Sequence, residues 1–127
     1  MEKEIKMVED FHNAFGHPVH TEPKMLSAAR STFRHTLLQE EVTELLKASM
    51  RGDVVEVADG IADCLYILFG TAHEFGLGDK LPAIFAEVHR SNMSKLGEDG
   101  RPLLREDGKV MKPESYEPPK LIDLVWG

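Results

Sequence analysis

The fold of this chain is decided by residues 40–63, which read EEVTELLKASMRGDVVEVADGIAD. The stretch begins inside a segment, from about residue 25 to 50, that contains no Gly or Pro and is predicted to be one long helix. Gly52 is expected to end this helix, and Asp53 is expected to cap a second helix that continues to about residue 75. Because the connecting turn is so short, the two helices are expected to pack antiparallel.

The segments on either side of this helix pair complete the predicted fold. Residues 3–15 have the apolar spacing of a short amphipathic helix, and residues 79–95 are predicted to form a fourth helix. Beyond Gly97, short apolar segments on both sides of Asp107-Gly108 are typical of a β-hairpin, and an apolar tail follows. The predicted class is therefore all-α, an antiparallel four-helix bundle with a small C-terminal β-hairpin and an extended tail.

The composition limits the classes of protein that fit. The chain has 127 residues, 42% of them hydrophobic, and a formal net charge of −7, a balance that is typical of a soluble globular protein. A single domain over residues 1–127 is expected, with the helical core at about 3–96 and the hairpin and tail at about 97–127. The acidic balance argues against nucleic-acid binding, and the only cysteine, Cys64, excludes an intrachain disulfide and a Cys-rich zinc site. No apolar run could span a membrane and the first residues lack the core of a signal peptide, so a cytoplasmic location is expected.

Three acidic residues lie within two turns of the first long helix. On a helical wheel Glu40, Glu41 and Glu44 flank the apolar stripe of that helix. The stripe is predicted to consist of Leu38, Val42 and Leu45. Taken alone, this acidic cluster also fits an ordinary solvated helix face.

The second helix carries acidic residues on a more apolar background. Asp63 is the only charged residue between Ile61 and Ala72, so this part of the helix is expected to lie in the protein interior. Asp59 lies one turn earlier on the same face, and Glu56 falls on that face too. A buried Asp needs a partner, which is an Arg, a set of backbone amides or a cation.

Both acidic clusters lie a few turns from the connecting turn, so they are expected to face each other at a similar height. Carboxylates converging at ~5 Å repel by ~3 kcal/mol for each ionised pair at an effective dielectric constant of about 20. Such a cluster is stable only if the acids are protonated or bind cations. Oxygen ligands without Cys or paired His select hard cations, so Mg²⁺ is expected, with Mn²⁺ as the alternative.

These residues resemble the all-α nucleoside triphosphate pyrophosphohydrolases, which include the MazG proteins, the dimeric dUTPases and phosphoribosyl-ATP pyrophosphohydrolase. The shared pattern is EExxE, which is intact at residues 40–44, followed by ExxD on the next helix. Residues 11–16, 87–95 and 105–110 are also similar to a bacterial and phage subgroup that is often labelled MazG-like or phosphoribosyl-ATP pyrophosphohydrolase-like. The resemblance covers residues from about 5 to 120.

The chain departs from the family pattern at one position. With Asp63 aligned to the family Asp, the glutamate position of ExxD falls on Gly60, which has no side chain to bind a metal. Asp59 together with Asp63 is the preferred way to complete the site, because Glu56 already has a role in the helix cap. The alternative is Glu56 with Asp59, which satisfies ExxD literally one turn earlier.

The resemblance implies a reaction and a set of site residues. Family members cut a nucleoside triphosphate between the α- and β-phosphates, which gives a monophosphate and pyrophosphate, and a role in clearing unwanted nucleotides follows. On this resemblance the catalytic residues are Glu40 and Glu41. The metal ligands are expected to be Glu41, Glu44 and Asp63, with Asp59 replacing the missing glutamate.

The resemblance also indicates the residues that bind the substrate. Arg90, Asn92 and Lys95, near the end of the fourth helix, are expected to contact phosphate or sugar, although ordinary surface basicity is the alternative. Arg34 is expected to do similar work or else to pair with an acid. Phe11 and Phe15 are interpreted as core residues in preference to base-stacking ones.

Two further expectations concern partners and the class of protein. A homodimer or higher homo-oligomer is expected, because helices with a wide apolar surface commonly associate, and neither a nucleic acid nor a membrane is expected as a partner. The alternative to an enzyme is a non-catalytic nucleotide- or partner-binding helical module with a degenerate metal site, which Gly60 motivates. A di-iron bundle would need a second Glu-x-x-His motif beside Glu9-x-x-His12, and the chain has none. The base and sugar of the substrate are left open.

Overall fold

The computed structural model describes all residues from Met1 to Gly127 and contains five helices and no β-strand. The helices are α1 (Glu2–Phe15), α2 (Ala28–Arg51), α3 (Val54–Glu74), α4 (Leu81–Met93) and α5 (Ile122–Trp126). The all-α class and the four longer helices are thus confirmed, whereas the short α5 is additional. No helix has the length and apolar character needed to cross a membrane. The chain divides into two compact units, 1–79 and 80–127. The single domain with a helical core at about 3–96 stays a prediction. The arrangement as one four-helix bundle stays a prediction.

The pairing of α2 with α3 organises the first unit. Gly52 ends α2 in the left-handed conformation, with φ at 72°, and the Asp53 side chain accepts a hydrogen bond of 3.1 Å from the backbone N–H of Glu56. The predicted turn is therefore confirmed. Farther along, the backbone of Gly60 lies against Leu45, and a β-carbon at Gly60 would be 3.2 Å from the Leu45 Cα atom. Contacts that run from Leu45–Gly60 to Arg34–Thr71 show that the two helices are antiparallel.

The inward face of α2 differs from the predicted apolar stripe. Arg34 and Ala48 are only 4% and 1% exposed, and Glu41 lies midway between them at intervals of seven residues. Val42, which was expected on the buried stripe, is 45% exposed, so this prediction was wrong. Gly60 of α3 contacts α2 at Leu45, so the side of α2 that carries Leu45 and Ala48 turns toward α3 and Val42 turns away from it.

Helix α1 packs on α3 through a small apolar set and one histidine. Ile5 and Val8 are buried, and so is His12, which faces Gly70 of α3. A β-carbon at Gly70 would lie 2.5 Å from the His12 Nε2 atom and 2.6 Å from an Arg34 nitrogen atom. The glycine is therefore required where α1, α2 and α3 meet.

A buried ion-pair network holds the three helices together at this junction. Glu74, the last residue of α3, is fully buried and accepts two hydrogen bonds from Arg30, at 2.6 and 3.0 Å. The Arg34 Nη1 atom lies 3.1 Å from Oε2 of the same carboxylate. His12 is adjacent, and burial lowers the pKa of its imidazole, with the charge of Arg34 acting in the same direction. A buried charge is tolerated only when it is paired in this way.

The second unit consists of α4, a long irregular segment and α5. Leu104 and Val110 form a single antiparallel bridge around a turn at Gly108, but no strand develops, so the predicted β-hairpin was wrong. All residues from 101 to 110 are exposed, and a two-stranded hairpin with no face to bury is marginal in water.

The segment after this turn is tied to α4 by polar contacts. The Ser91 hydroxyl donates a hydrogen bond of 2.8 Å to the Glu117 carbonyl oxygen, and Glu87 accepts one of 2.7 Å from the backbone N–H of Lys120. Arg90 and this N–H group lower the pKa of Glu87 to about 2. The segment is thus anchored along one side of the helix.

Candidate active site

The structure brings together one carboxyl group from each of the two central helices. Glu41 of α2 and Asp63 of α3 are both half-buried, and their carboxyl groups are close enough to share a hydrogen bond. Burial raises the pKa of Glu41, and the charge of Asp63, this hydrogen bond and the charges of Asp59 and Glu40 raise it further. Three acidic groups from two helices therefore act on Glu41. We call Glu41 and Asp63 the carboxylate pair, with Asp59 and Glu40 as its neighbours.

The other predicted ligand on α2 lies away from this pair. Glu44 is exposed and forms an ion pair of 3.5 Å with Lys47, one turn along the same helix. It shares with Glu40 a shallow groove of about 300 Å³ on the outer side of α2. The remaining residues of that groove are His35, Thr36, Gln39 and Thr43. The EExxE motif thus divides between two faces of the helix.

The surroundings of Gly60 leave no room for the glutamate that the predicted ExxD alignment places there. Gly60 is buried against Leu45, so a glutamate side chain at this position would collide with α2. Asp59 is exposed, and its charge contributes to the raised pKa of Glu41. The helix cap uses the backbone N–H of Glu56 and not its side chain, so the cap does not exclude Glu56 as a ligand. The electrostatic contact of Asp59 with the pair favours Asp59 as the residue that completes the site.

The donor set has the chemistry of a hard-cation site but not a complete protein cage. No group of three or more His, Cys, Asp or Glu side chains is arranged to hold a metal ion. Mg²⁺, however, is commonly bound by one or two carboxylates, with substrate phosphates and water filling the other positions. The carboxylate pair fits that mode, and the pKa of Glu41 is raised first by burial and then by the neighbouring acidic charges.

Cys64 lies beside the pair on α3. Burial raises the pKa of its thiol, and the charges of Glu41 and Asp63 raise it further. A thiol in this environment stays protonated and acts as a small apolar neighbour of the pair.

The predicted substrate-binding residues occupy different surroundings. All three guanidinium nitrogens of Arg34 are bound inside the protein, by Glu74, by the Thr71 hydroxyl and by the Ile67 carbonyl oxygen. Its pairing with an acid is therefore what the structure shows.

The other three predicted substrate-binding residues are in the second unit. Arg90 forms two hydrogen bonds with Glu87, at 2.7 and 2.9 Å, and Lys95 lies 5.9 Å from the centre of the Tyr116 ring. Asn92 is exposed.

Glu74 is the important charged residue that the sequence patterns did not identify. A signal for it existed, because Arg30 and Arg34 are spaced by four residues and therefore lie on one face of α2. Two arginines on the face of a helix that packs inward require an acidic partner, but the sequence alone does not tell which acid meets them.

Comparisons with known proteins show the family of this chain. A family model described as phosphoribosyl-ATP pyrophosphohydrolase matches residues 8–92, which include α2, α3 and the carboxylate pair. The chain is also 29% identical over 126 residues to the Uncharacterized protein L479 of Acanthamoeba polyphaga mimivirus, an alignment that covers 93% of this chain and 47% of that protein. The chain thus spans about half the length of the curated relative it matches. On the family match, this chain belongs to the phosphoribosyl-ATP pyrophosphohydrolase family, within the all-α MazG-like nucleoside triphosphate pyrophosphohydrolase superfamily.

Proposed function

We propose that this protein is a Mg²⁺-dependent nucleotide pyrophosphohydrolase that cleaves (deoxy)nucleoside triphosphates between the α- and β-phosphates, giving a monophosphate and pyrophosphate. The observation that carries the proposal is the carboxylate pair, Glu41 and Asp63, held between two antiparallel helices with the pKa of Glu41 raised. Mn²⁺ is the alternative cation. In the cell the reaction would remove unwanted nucleotides from the cytoplasm.

The residues of the pair have distinct tasks in this proposal. Glu41 and Asp63 would hold the cation, which supplies neutralisation of phosphate charge when it is bound. Asp59 would complete the ligand set, and Glu40 would orient or deprotonate the attacking water. Because the pKa of Glu41 is raised, a proton competes with the cation for this carboxylate, and binding is expected to strengthen as pH rises.

The remaining predicted residues are assigned by their surroundings. Glu44 would act as a ligand only if it left Lys47, so it is expected to contribute less than Glu41. Arg90, Asn92 and Lys95 are proposed to contact the phosphates or sugar. Arg34 has no substrate contact in this proposal, because its nitrogen atoms are bound internally.

A homodimer or higher homo-oligomer is also part of the proposal. Large apolar side chains on the outer faces of α2 and α3 are exposed. They include Val42, Leu46, Val54, Val55, Ile61 and Leu68. An apolar surface of this extent on two neighbouring helices favours association, and light scattering that reports a monomer would contradict it.

The proposed activity is tested by an assay of pyrophosphate release. The purified protein with Mg²⁺ is given a panel of ribo- and deoxyribonucleoside triphosphates and phosphoribosyl-ATP, and the products are identified chemically. Glu41→Gln and Asp63→Asn are expected to lower kcat/KM by a factor of about 10² or more, as expected when a group that stabilises transition-state charge is lost. Glu106→Gln, at an exposed site in the second unit, is the control and is expected to retain wild-type activity.

A non-catalytic module is the second candidate, favoured by the absence of a three-residue metal group and by Gly60. The same panel separates the two candidates. Triphosphate binding measured by calorimetry with no pyrophosphate released from any substrate would establish the module, whereas turnover that disappears in Glu41→Gln would exclude it.

A further inference from the structure

A small apolar hollow lies between α1 and α3, and the carboxylate pair does not use it. Its volume is about 190 Å³. The residues that line it are Glu4, Met7, Val8, Ala62, Leu65, Tyr66 and Phe69. Glu4 is the only charged residue among them, while Met7, Leu65 and Tyr66 are 40–52% exposed. The hollow is thus an apolar surface that solvent reaches.

One wall of the hollow is the aromatic ring of Tyr66. Tyr66 meets Phe11 edge to face, with ring centres 5.4 Å apart and planes at 87°. Phe11 in turn stacks on Phe15 at 4.3 Å. The prediction that Phe11 and Phe15 are core residues was wrong, since both are exposed and Phe15 is 67% so. Phe11 thus packs against Tyr66 beside the hollow.

The size and chemistry of the hollow suit one planar ring system. Pockets for drug-sized ligands typically enclose about 300–1,000 Å³, so a hollow of about 190 Å³ accommodates a smaller group. An apolar lining with an aromatic wall favours a flat heteroaromatic ring, because ring faces stack on aromatic side chains whatever the pattern of ring substituents.

The hollow adjoins the carboxylate pair along α3. Tyr66 follows Asp63 by three residues, and Ala62 follows Asp59 by three, so each of these residues lies on the same side of the helix as the acid before it and ~4.5 Å farther along the axis. We propose that the hollow binds the nucleobase of the nucleotide whose phosphates are held at Glu41 and Asp63. This inference rests on the proposed function for the identity of the ligand.

The test fills the hollow and compares ligands with and without a base. Ala62→Met places a longer side chain in the lining, and Ala58→Met makes the same change at an exposed position of α3 that does not line the hollow. Binding of adenosine monophosphate and of ribose 5-phosphate is measured by calorimetry. Ala62→Met is expected to weaken adenosine monophosphate binding about tenfold and to leave ribose 5-phosphate unchanged. Ala58→Met is expected to change neither.

A second measurement uses the unaltered protein and a second variant. In the wild type, nuclear Overhauser contacts are expected between the protons of the base and the Met7 methyl group. Tyr66→Leu is expected to weaken base binding as Ala62→Met does. Equal losses for both ligands, or chemical shifts of the lining that change with protein concentration and not with nucleotide, would overturn the inference and would indicate a second copy of the chain on this surface.

The outcome is separable from that of the proposed function. Base-dependent binding that Ala62→Met abolishes, without pyrophosphate release, would uphold the hollow and reject the activity. Pyrophosphate release with KM values that Ala62→Met leaves unchanged for every base would uphold the activity and reject the hollow as the base-binding site.

Discussion

Gly60 of α3 packs so closely on Leu45 of α2 that a β-carbon at Gly60 would lie 3.2 Å from both the Cα and Cβ atoms of Leu45. One of these neighbours is backbone, which cannot move aside as the end of a side chain can. The contact therefore fixes the separation of the two helices that carry the carboxylate pair.

Gly60→Ala is expected to destabilise the protein although alanine favours helix. The propensity gain is ~1 kcal/mol, and overpacking of a tight helix contact costs about 1–3 kcal/mol. Gly60→Glu is expected to destabilise the protein more than Gly60→Ala and not to raise activity, because the glutamate side chain has no room beside Leu45. Urea denaturation measures both, and a Gly60→Glu variant with wild-type stability and higher turnover would contradict the packing role.

Glu41→Gln is expected to stabilise the protein in the absence of metal. The pKa of Glu41 is raised in the folded state, so folding favours its protonated form. This contribution to stability is present below the unfolded pKa of about 4.5 and is lost as pH rises through the folded pKa. The Gln side chain of the variant is neutral at every pH, so the variant does not lose stability as pH rises through this range.

Thermal unfolding between pH 4 and 8, with and without Mg²⁺, tests this prediction. The wild type is expected to gain melting temperature from Mg²⁺ at neutral pH, and Glu41→Gln to gain little. Glu44→Gln is the comparison on the same helix and is expected to keep most of the Mg²⁺ effect. An equal loss of the effect in both variants would place Glu44 among the ligands.

Glu74→Gln is expected to cost about 3–5 kcal/mol of unfolding free energy, because it leaves the charge of Arg34 buried without its counter-charge. Glu114→Gln, at an exposed position, is expected to change the unfolding free energy by less than about 0.5 kcal/mol. Denaturant titration of both variants gives the difference. If Glu74→Gln were as stable as the wild type, the network would not be what joins the three helices.

His12 makes stability depend on pH just below neutrality. Burial lowers its pKa from 6.5 in the folded state, so the unfolded chain takes up the proton first. Its destabilising effect is absent at high pH, begins as pH falls through about 6.5, and is complete below the folded pKa. His12→Asn is expected to flatten this part of the stability profile, whereas His35→Asn, at an exposed site, should leave it unchanged.

The helices and their connecting turn could be predicted because each depends on local sequence. Gly52 ends α2 and Asp53 caps α3 through contacts within one helical turn. The segment 25–50 before them contains no Gly or Pro that would interrupt a helix. The rotation of α2 about its axis could not be predicted in the same way. It depends on the contact of Gly60 with Leu45 of α2, so that Glu41 is half-buried while Val42 is exposed.

The same reasoning explains what was missed elsewhere. Two facing carboxylates could be anticipated from helix lengths, but which acids of the EExxE motif face inward depends on that rotation. Glu74 was missed because its partners lie 40 and 44 residues away in sequence. The prediction of a β-hairpin was wrong because residues 101–110 are all exposed and bury no apolar face. The predicted turn at Gly108 is present.

Arg34 and Glu41 are seven residues apart, so the ion pair of Arg34 with Glu74 and the contact of Glu41 with Asp63 depend on the same alignment of α2 with α3. Arg34 is locked to Glu74, so the residue seven positions later must meet Asp63. Deleting one residue between Arg34 and Glu41 would bring Val42 to the position opposite Asp63, and the folded helix pair is then expected not to bind the metal. Inserting one residue would bring Glu40 to that position. Length changes in this short span are therefore predicted to be tolerated far less readily than point substitutions within it.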